Sequence, residues 1–414
     1  MTNICILRPN CSEGYDKNLQ NLRAIEPPIW LAILANYYKT DCLIDAEAYN
    51  YTIDETIEEI KKTNRKKIVI FSSGSHPSAH IQQLYIANII KNKLSSIGFE
   101  VIIIDKLPVS PVKWGTPRWD LLPMDKYRCH NWHSWSNGSI TQPYGVAYTS
   151  LSCPFKCSFC CIKTYYGTTF EQRLIEDIIV DFEELGKLGI INIKLMDELF
   201  TFNKNRVKLI CEKIAELPYK FNIWVYARID LVNRELLDVM KKAGINWVAY
   251  GIESGSDRIR QIEMKGSFNK DKIREIINLT KSNSINVLGN FMFGFQDDTY
   301  DTMQETLDFA KELNCEYVNM YATVAYPGSK LYNDLKAKGV KLPTNFLAYA
   351  QTSKEFKPLD GKYLTGKQIL EFRDKAFEEY FTNPTYLNTI KEKFGDKVIQ
   401  EIKSMTSIRL ERNV

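Results

Sequence analysis

A Rossmann-like parallel α/β sheet, followed by a partial (β/α)6 barrel and a helical C-terminal extension, is the architecture this sequence predicts. Three observations predict it. Short β-branched runs alternate with helix-patterned segments through residues 1–107, the alternation resumes at Tyr144 for six rounds, and the last stretch holds helical patterns without strands. Alternation of this kind gives parallel sheets with helices on their faces.

In the first unit (1–107) the strands are Ile4–Leu7, Leu43–Asp45, Ile68–Phe71 and Val101–Ile104. Between them Ile29–Tyr38, Thr52–Lys61 and His80–Ile97 carry apolar residues at helical spacing. Residues 108–143 break the pattern with Pro, Trp and polar residues, and read as an ordered connector. The second unit (144–335) has strands at Gly145–Leu151, Asn192–Met196, Asn222–Ala227, Trp247–Ile252, Val287–Phe293 and Tyr317–Val324. Helical patterns such as Phe170–Leu188 and Arg234–Ala243 separate them. Six βα rounds suit a partial barrel whose chemistry gathers at the strands' C-terminal ends. Residues 336–414, with helices at Gly366–Phe381 and Leu387–Met405, read as a cap or substrate-facing appendage.

Composition narrows the function classes. The 414 residues exceed one ordinary domain, and 44% hydrophobic with 25% charged residues is usual for a globular protein. The net charge of +4 is spread along the chain, and Lys/Arg runs are short, so no nucleic-acid stripe is expected. No apolar stretch approaches the ~18 residues of a membrane span. The opening "MTNICILRPN" enters a strand without the regions of a signal peptide. A cytoplasmic protein is expected, where thiols stay reduced and clustered cysteines suggest metal. Cys5, Cys42, Cys211 and Cys315 sit singly in apolar patterns and are expected to be buried small hydrophobes.

Four of the 10 cysteines fall within "CPFKCSFCC", just past the first barrel strand. Cys153, Cys157 and Cys160 follow C-x₃-C-x₂-C. Structural zinc wants four closed ligands, and Cys129, His130 and His133 lie too far back in the connector to complete such a set. Soft thiolates favour iron–sulfur clusters, normally held by four cysteines. Three on one tight loop leave one corner of a [4Fe–4S] cube for a small molecule.

The stretch resembles the signature of the radical S-adenosylmethionine (SAM) enzymes, with Phe159 as the aromatic residue before the third cysteine. The resemblance implies that SAM chelates the open iron and is cleaved to methionine and a 5′-deoxyadenosyl radical, which abstracts hydrogen from an unactivated carbon. It also implies roles along the later strands. Asp197 or Glu198 in "KLMDELF" would receive the SAM ammonium, and Arg228 in "YARID" would clamp its carboxylate. Glu253 and Ser254 in "GIESGS" would hydrogen-bond the ribose, with Gly251 and Gly255 permitting close approach. Asn290 and Met292 in "NFMFGFQDD" would line the adenine pocket, although that segment departs from the commoner Gly-x-Ile-x-Gly-x-x-Glu. The extra Cys161 is expected to pack. Trp132, Trp135, Tyr165 and Tyr166 are expected to flank the cluster mouth.

The first unit resembles the cobalamin-binding domain of one radical SAM subfamily, through "ILRPN", "EPPIWLAILANYY" and "SSGSHPSA", and the connector "RWDLLPMDKY" and the tail "FRDKAFEEYFTNPTYL" also resemble that subfamily. Ser72, Ser73 and Ser75 would meet the lower face of a cobalamin whose cobalt takes no protein ligand. The subfamily's Gly-rich segments after the fourth strand are missing here, as if one βα unit were trimmed. Cobalamin-dependent C-methylation of a small-molecule or glycan substrate is therefore one expectation, with electrons from a flavodoxin or ferredoxin. Cobalamin-independent dehydrogenation, epimerisation or rearrangement is the second. A non-catalytic iron–sulfur or zinc protein is the third.

Overall fold

The structure, a computed structural model, describes residues 2–12, 19, 22–72, 77–108, 110–266 and 268–413. Strands β1 (Ile4–Arg8), β2 (Leu43–Asp45), β3 (Lys67–Phe71) and β4 (Glu100–Ile104) form an all-parallel sheet in the order β2-β1-β3-β4. Side chains alternate between its faces, as a period of two demands. Cys5, Leu7, Ile68 and Ile70 pack with helices α2 (Ile53–Lys62) and α3 (Pro77–Ser96), while Ile6 and Phe71 pack with α1 (Ile29–Tyr38). Residues 29–35 of α1 are apolar on every side and all are buried. The second unit covers the side that the first sheet leaves open.

The connector includes the short helix α4 (Asn131–Ser134). Strand β5 (Tyr144–Ala147) then stops earlier than the sequence suggests, and β6 (Ser150–Leu151) turns aside. The cysteine loop and helix α5 (Ile162–Tyr166) follow, before β7 (Glu171–Gln172) pairs antiparallel with β6. This hairpin removes the first turn expected for the next helix, so α6 begins later, as Ile175–Lys187.

Strand β8 (Asn192–Leu195), helix α7 (Lys204–Ala215), β9 (Asn222–Ala227), α8 (Arg234–Lys242) and β10 (Ile245–Glu253) come next. After α9 (Asp257–Ile262) and α10 (Lys270–Ser282) come β11 (Asn286–Phe293), α11 (Tyr300–Leu313), β12 (Tyr317–Ala322) and α12 (Lys330–Ala337). The parallel sheet runs β5-β8-β9-β10-β11-β12, an open barrel in chain order. Helix starts are fixed locally: Asn233, Asn269 and Thr299 each accept an amide of the first turn.

The connector plugs the barrel's N-terminal end. Trp132 packs on Trp224, Trp247 and Tyr317, and His133 Nε2 meets the Asn222 carbonyl at 2.9 Å. Ser136 Oγ accepts from the Trp247 indole and the Asn286 amide, both at 2.8 Å. Trp132 and Trp135 therefore lie opposite the mouth they were expected to flank, because the segment between the units must fill the narrow end of the barrel.

Helices α13 (Gly366–Phe381), α14 (Pro384–Phe394) and α15 (Asp396–Ser407) complete the chain. The sequence suggests one helix for the last two, but Gly395 at φ 84° breaks it, a conformation glycine adopts without strain. Rather than facing the mouth, these helices cover β11, β12 and the plugged end. Phe372 meets Phe293, the Tyr380 hydroxyl bonds the Cys315 carbonyl at 2.7 Å, and Phe394 stacks on Trp247. Among the described residues no helix is long and apolar enough to cross a membrane.

Candidate active site

At the C-terminal end of β5 the chain has no further sheet to join, and residues 152–161 cross the barrel mouth as a loop. It is fastened on two sides. The Ser158 amide and hydroxyl donate to the carbonyl and carboxylate of Glu263, beyond α9. The Leu331 amide of α12 donates to the Ser158 carbonyl at 2.9 Å. Cys153 and Cys157 are half-buried, Cys160 opens to the surface and Cys161 is buried. Burial pushes the Cys153 thiol up, and the Phe155 amide bonded to its sulfur works against that.

Cations gather at the same loop. Arg228, after β9, lies 4.0 Å from Cys157 Sγ through Nη1 and 3.6 Å over the Phe155 ring. Its other nitrogens form a bidentate pair with Asp230, at 3.0 and 2.9 Å. Lys265 donates to Glu253 at 2.7 Å, and both are buried. Burial works against the Lys265 charge, but Glu253 outweighs it and holds the ammonium above its usual pKa, with Cys157 adding to the effect.

Opposite, β8 delivers two carboxylates with different fates. Asp197 accepts the Thr149 amide at 2.6 Å and the hydroxyls of Thr149 and Ser150, so it ties the end of β5 together. Glu198 accepts the Ser152 amide at 2.9 Å. Burial holds its carboxyl well above the usual range, and the neighbouring Asp197 adds to this. On β11 and β12 the half-buried Asn290, Met292, Asn319 and Tyr321 alternate with fully buried residues, so these four face the lumen. Asn290 accepts from Asn319 at 2.9 Å. Deeper in, Lys194 of β8 pairs with Glu26 at 2.7 Å beside the Trp224 and Tyr226 rings.

Residues 148–310 match the family model of the radical SAM superfamily. The chain thus carries a radical SAM domain. It has the domain whose family of enzymes uses a [4Fe–4S] cluster and SAM. It is 30% identical over 285 residues to an uncharacterized methyltransferase of Pyrococcus horikoshii, covering 69% of this chain and 58% of that one. It thus spans less than two thirds of that relative.

Two solved structures share the fold. The radical SAM methyltransferase TsrM of Kitasatospora setae, with cobalamin and [4Fe–4S] cluster bound, superposes with TM-score 0.60 at 12% identity, over 93% of this chain and 90% of TsrM. The cobalamin-dependent radical SAM enzyme OxsB, with aqua-cobalamin and SAM bound, superposes with TM-score 0.67 at 13% identity, over 97% of this chain and 71% of OxsB.

The donor set suits the cluster of a radical SAM enzyme. Three thiols come from one loop, and among the described residues no three Cys, His, Asp or Glu side chains close on a single ion, as a tetrahedral zinc site requires. Two cations face thiols that must become thiolates to bind iron. Of the residues predicted for SAM, the structure brings Glu198, Arg228, Glu253, Asn290 and Met292 to the barrel mouth. Ser254 is engaged elsewhere: its hydroxyl meets Thr306 at 3.1 Å and accepts the Ser256 amide.

Gly255 serves packing rather than ligand approach, since a Cβ there would stand 2.5 Å from the Glu305 carbonyl of α11. Phe159 packs with Phe295 and the apolar face of α12. Ser72 is buried and its amide bonds the Ile104 carbonyl at 3.0 Å, while Ser73 and Ser75 lie outside the described residues. Sequence reasoning missed Lys265, Asp230 and Glu263. Asp230 had a signal, two residues past Arg228; the other two meet their partners only in three dimensions.

Proposed function

We propose that this radical SAM enzyme methylates an unactivated carbon of a small molecule with the help of cobalamin. One observation carries the reading: the C-terminal ends of the two sheets meet. Trp30, at the start of α1, touches Phe71 at the end of β3 (6.4 Å), Tyr148 just past β5 (4.4 Å) and Tyr166 of α5 (6.5 Å). In an open α/β sheet a ligand sits outside the strand ends where the order reverses, here between β1 and β3. A flat corrin there would face the cysteine loop across this aromatic seam. Neither His130 nor His133 reaches that crevice, since His130 stacks on Trp132 and His133 meets the Asn222 carbonyl at the plugged end of the barrel. The methyltransferase relative and the cobalamin-bound TsrM and OxsB support the same reading.

The chain's residues would divide the work as follows. Cys153, Cys157 and Cys160 hold the cluster, and Glu198 receives the SAM ammonium through a charge-assisted hydrogen bond. Arg228, aligned by Asp230, meets the SAM carboxylate. Glu253, aligned by Lys265, takes the ribose, and Asn290 with Met292 wall the adenine. When bound, cluster and SAM supply a hydrogen-abstracting 5′-deoxyadenosyl radical, and cobalamin supplies the methyl group. A flavodoxin or ferredoxin is the fitting electron source.

A second reading keeps the radical chemistry without cobalamin, as dehydrogenation, epimerisation or rearrangement. It is favoured by the first sheet, which ends at β4 with no fifth strand among the described residues. One experiment separates them. The protein is reconstituted anaerobically with iron and sulfide, mixed with hydroxocobalamin, desalted, and given SAM and dithionite. Retained cobalamin with both 5′-deoxyadenosine and S-adenosylhomocysteine supports methyl transfer. Deoxyadenosine from a protein that keeps its cluster but no cobalamin supports the second reading, and no deoxyadenosine overturns both.

A further inference from the structure

The C-terminal tail folds back along α13. Arg409 meets Glu378 at 2.9 Å and Arg412 lies 3.5 Å from Asp374, one turn apart on that helix. Arg412 Nη1 also donates to the carbonyls of Gln351 and Ser353, at 2.9 and 3.3 Å. Gln351 in turn bonds both backbone groups of Ala322, the last residue of β12. The tail is thus tied to the edge of the barrel beside its C-terminal end.

Arg373 reaches the same place from the apolar stripe of α13, among Ile369, Ala376 and Tyr380, and is 7% exposed. Its Nε lies 3.0 Å from the Asp374 carboxylate, out of line for a hydrogen bond. Its Nη2, and both Nε and Nη2 of Arg412, are likewise buried without an acceptor among the described residues. Burial lowers Arg373 to about 10, Asp374 opposes this, and nearby Arg412 adds to the lowering.

Two guanidinium groups therefore share one carboxylate and leave a buried surplus of positive charge. Charged donors left unmet in an interior are costly, and the planar guanidinium fork matches a carboxylate or phosphate. We propose that Arg373 and Arg412 form a binding site for a small oxyanion, a phosphate or carboxylate group, with one arginine from α13 and the other from the C-terminal tail. The site needs neither cluster nor SAM, so its test is independent of the reaction.

Thermal unfolding of the full chain is followed in phosphate-free buffer with added inorganic phosphate, sodium acetate, or sodium chloride at matched ionic strength. Phosphate or acetate is expected to raise the midpoint saturably above chloride, since a ligand that binds only the folded chain stabilises it. The responding anion assigns the preferred group. Arg412→Gln should raise the half-saturating concentration at least tenfold, as should Arg373→Gln if it folds. Bound anion should also slow tryptic cleavage after Arg409 several-fold. Identical midpoints in all three salts, or an undiminished response in Arg412→Gln, would overturn the site.

Discussion

Glu263 stands outside every motif legible in the sequence, yet it anchors the middle of the cysteine loop through Ser158. Groups that orient ligands are typically worth about 10–100-fold in metal affinity. Glu263→Ala should therefore lower the iron and sulfide retained after reconstitution and desalting by about tenfold, while unfolding of the apo-protein stays cooperative. Full retention would show that α12 and the backbone carbonyl of residue 263 fix the loop without the carboxylate.

Lys265 and Glu253 give a sharper case. Both side chains are 10% exposed, and Glu253 sits at φ 68°, a left-handed conformation a glutamate adopts at a cost. Lys265→Met strands a buried carboxylate and should destabilise the apo-protein by about 3–5 kcal/mol in urea titration. Adding Glu253→Gln should recover part of that loss. If the double variant is no better than the single one, the two groups are not coupled.

At the scale of elements, the plug formed by α4 carries a pH dependence. Burial lowers His130 to about 4 and His133 to about 3. Glu26 opposes the shift in both cases, Lys194 reinforces it, and the Asn222 carbonyl further supports the charged form of His133. The native chain therefore keeps both rings neutral where the unfolded chain protonates them. Their stability is fully present above the unfolded value of about 6.5 and is lost as pH falls toward 4, at about 1.4 kcal/mol per pH unit for each ring. Urea midpoints at pH 7 and pH 5 should show the drop, and His133→Gln should flatten it by about half. An unchanged slope would place the loss in other groups.

Sequence patterning reached most of these elements but not the plug. Periodicity located all four strands of the first sheet and all six of the barrel, because half-buried alternation and β-branched runs are local signals. The two-residue strands β6 and β7 are too short to show a period, so the pattern makes β5 too long and starts α6 too early. The burial of Trp132 and His133 was equally invisible, since aromatic residues in a connector look alike whether they line a mouth or fill a floor. The cysteines announced themselves by spacing. Arg228 and Glu253 followed from resemblance, and their partners Asp230 and Lys265 from neither.

At the scale of the whole molecule, the chain reads as two units in sequence, but its largest core cluster spans both. The residues of α1 from Ile29 to Ala35 pack continuously with Ile6 and Phe71 of the first sheet and with Tyr148 beyond β5. The buried Lys194–Glu26 pair ties the segment before α1 to the inside of the barrel. Neither sheet can bury α1 alone, so the two should unfold together rather than as separate domains. Tryptophan fluorescence and far-ultraviolet circular dichroism should give coincident denaturation curves. Trp30→Ala removes the ring at the junction and should cost about 3–5 kcal/mol, the range for a large buried aromatic. It should move both curves by the same amount. Two separated transitions, or a shift confined to one probe, would mean that the sheets are independent, and the aromatic seam between their strand ends would then be too loose to hold one ligand against the other.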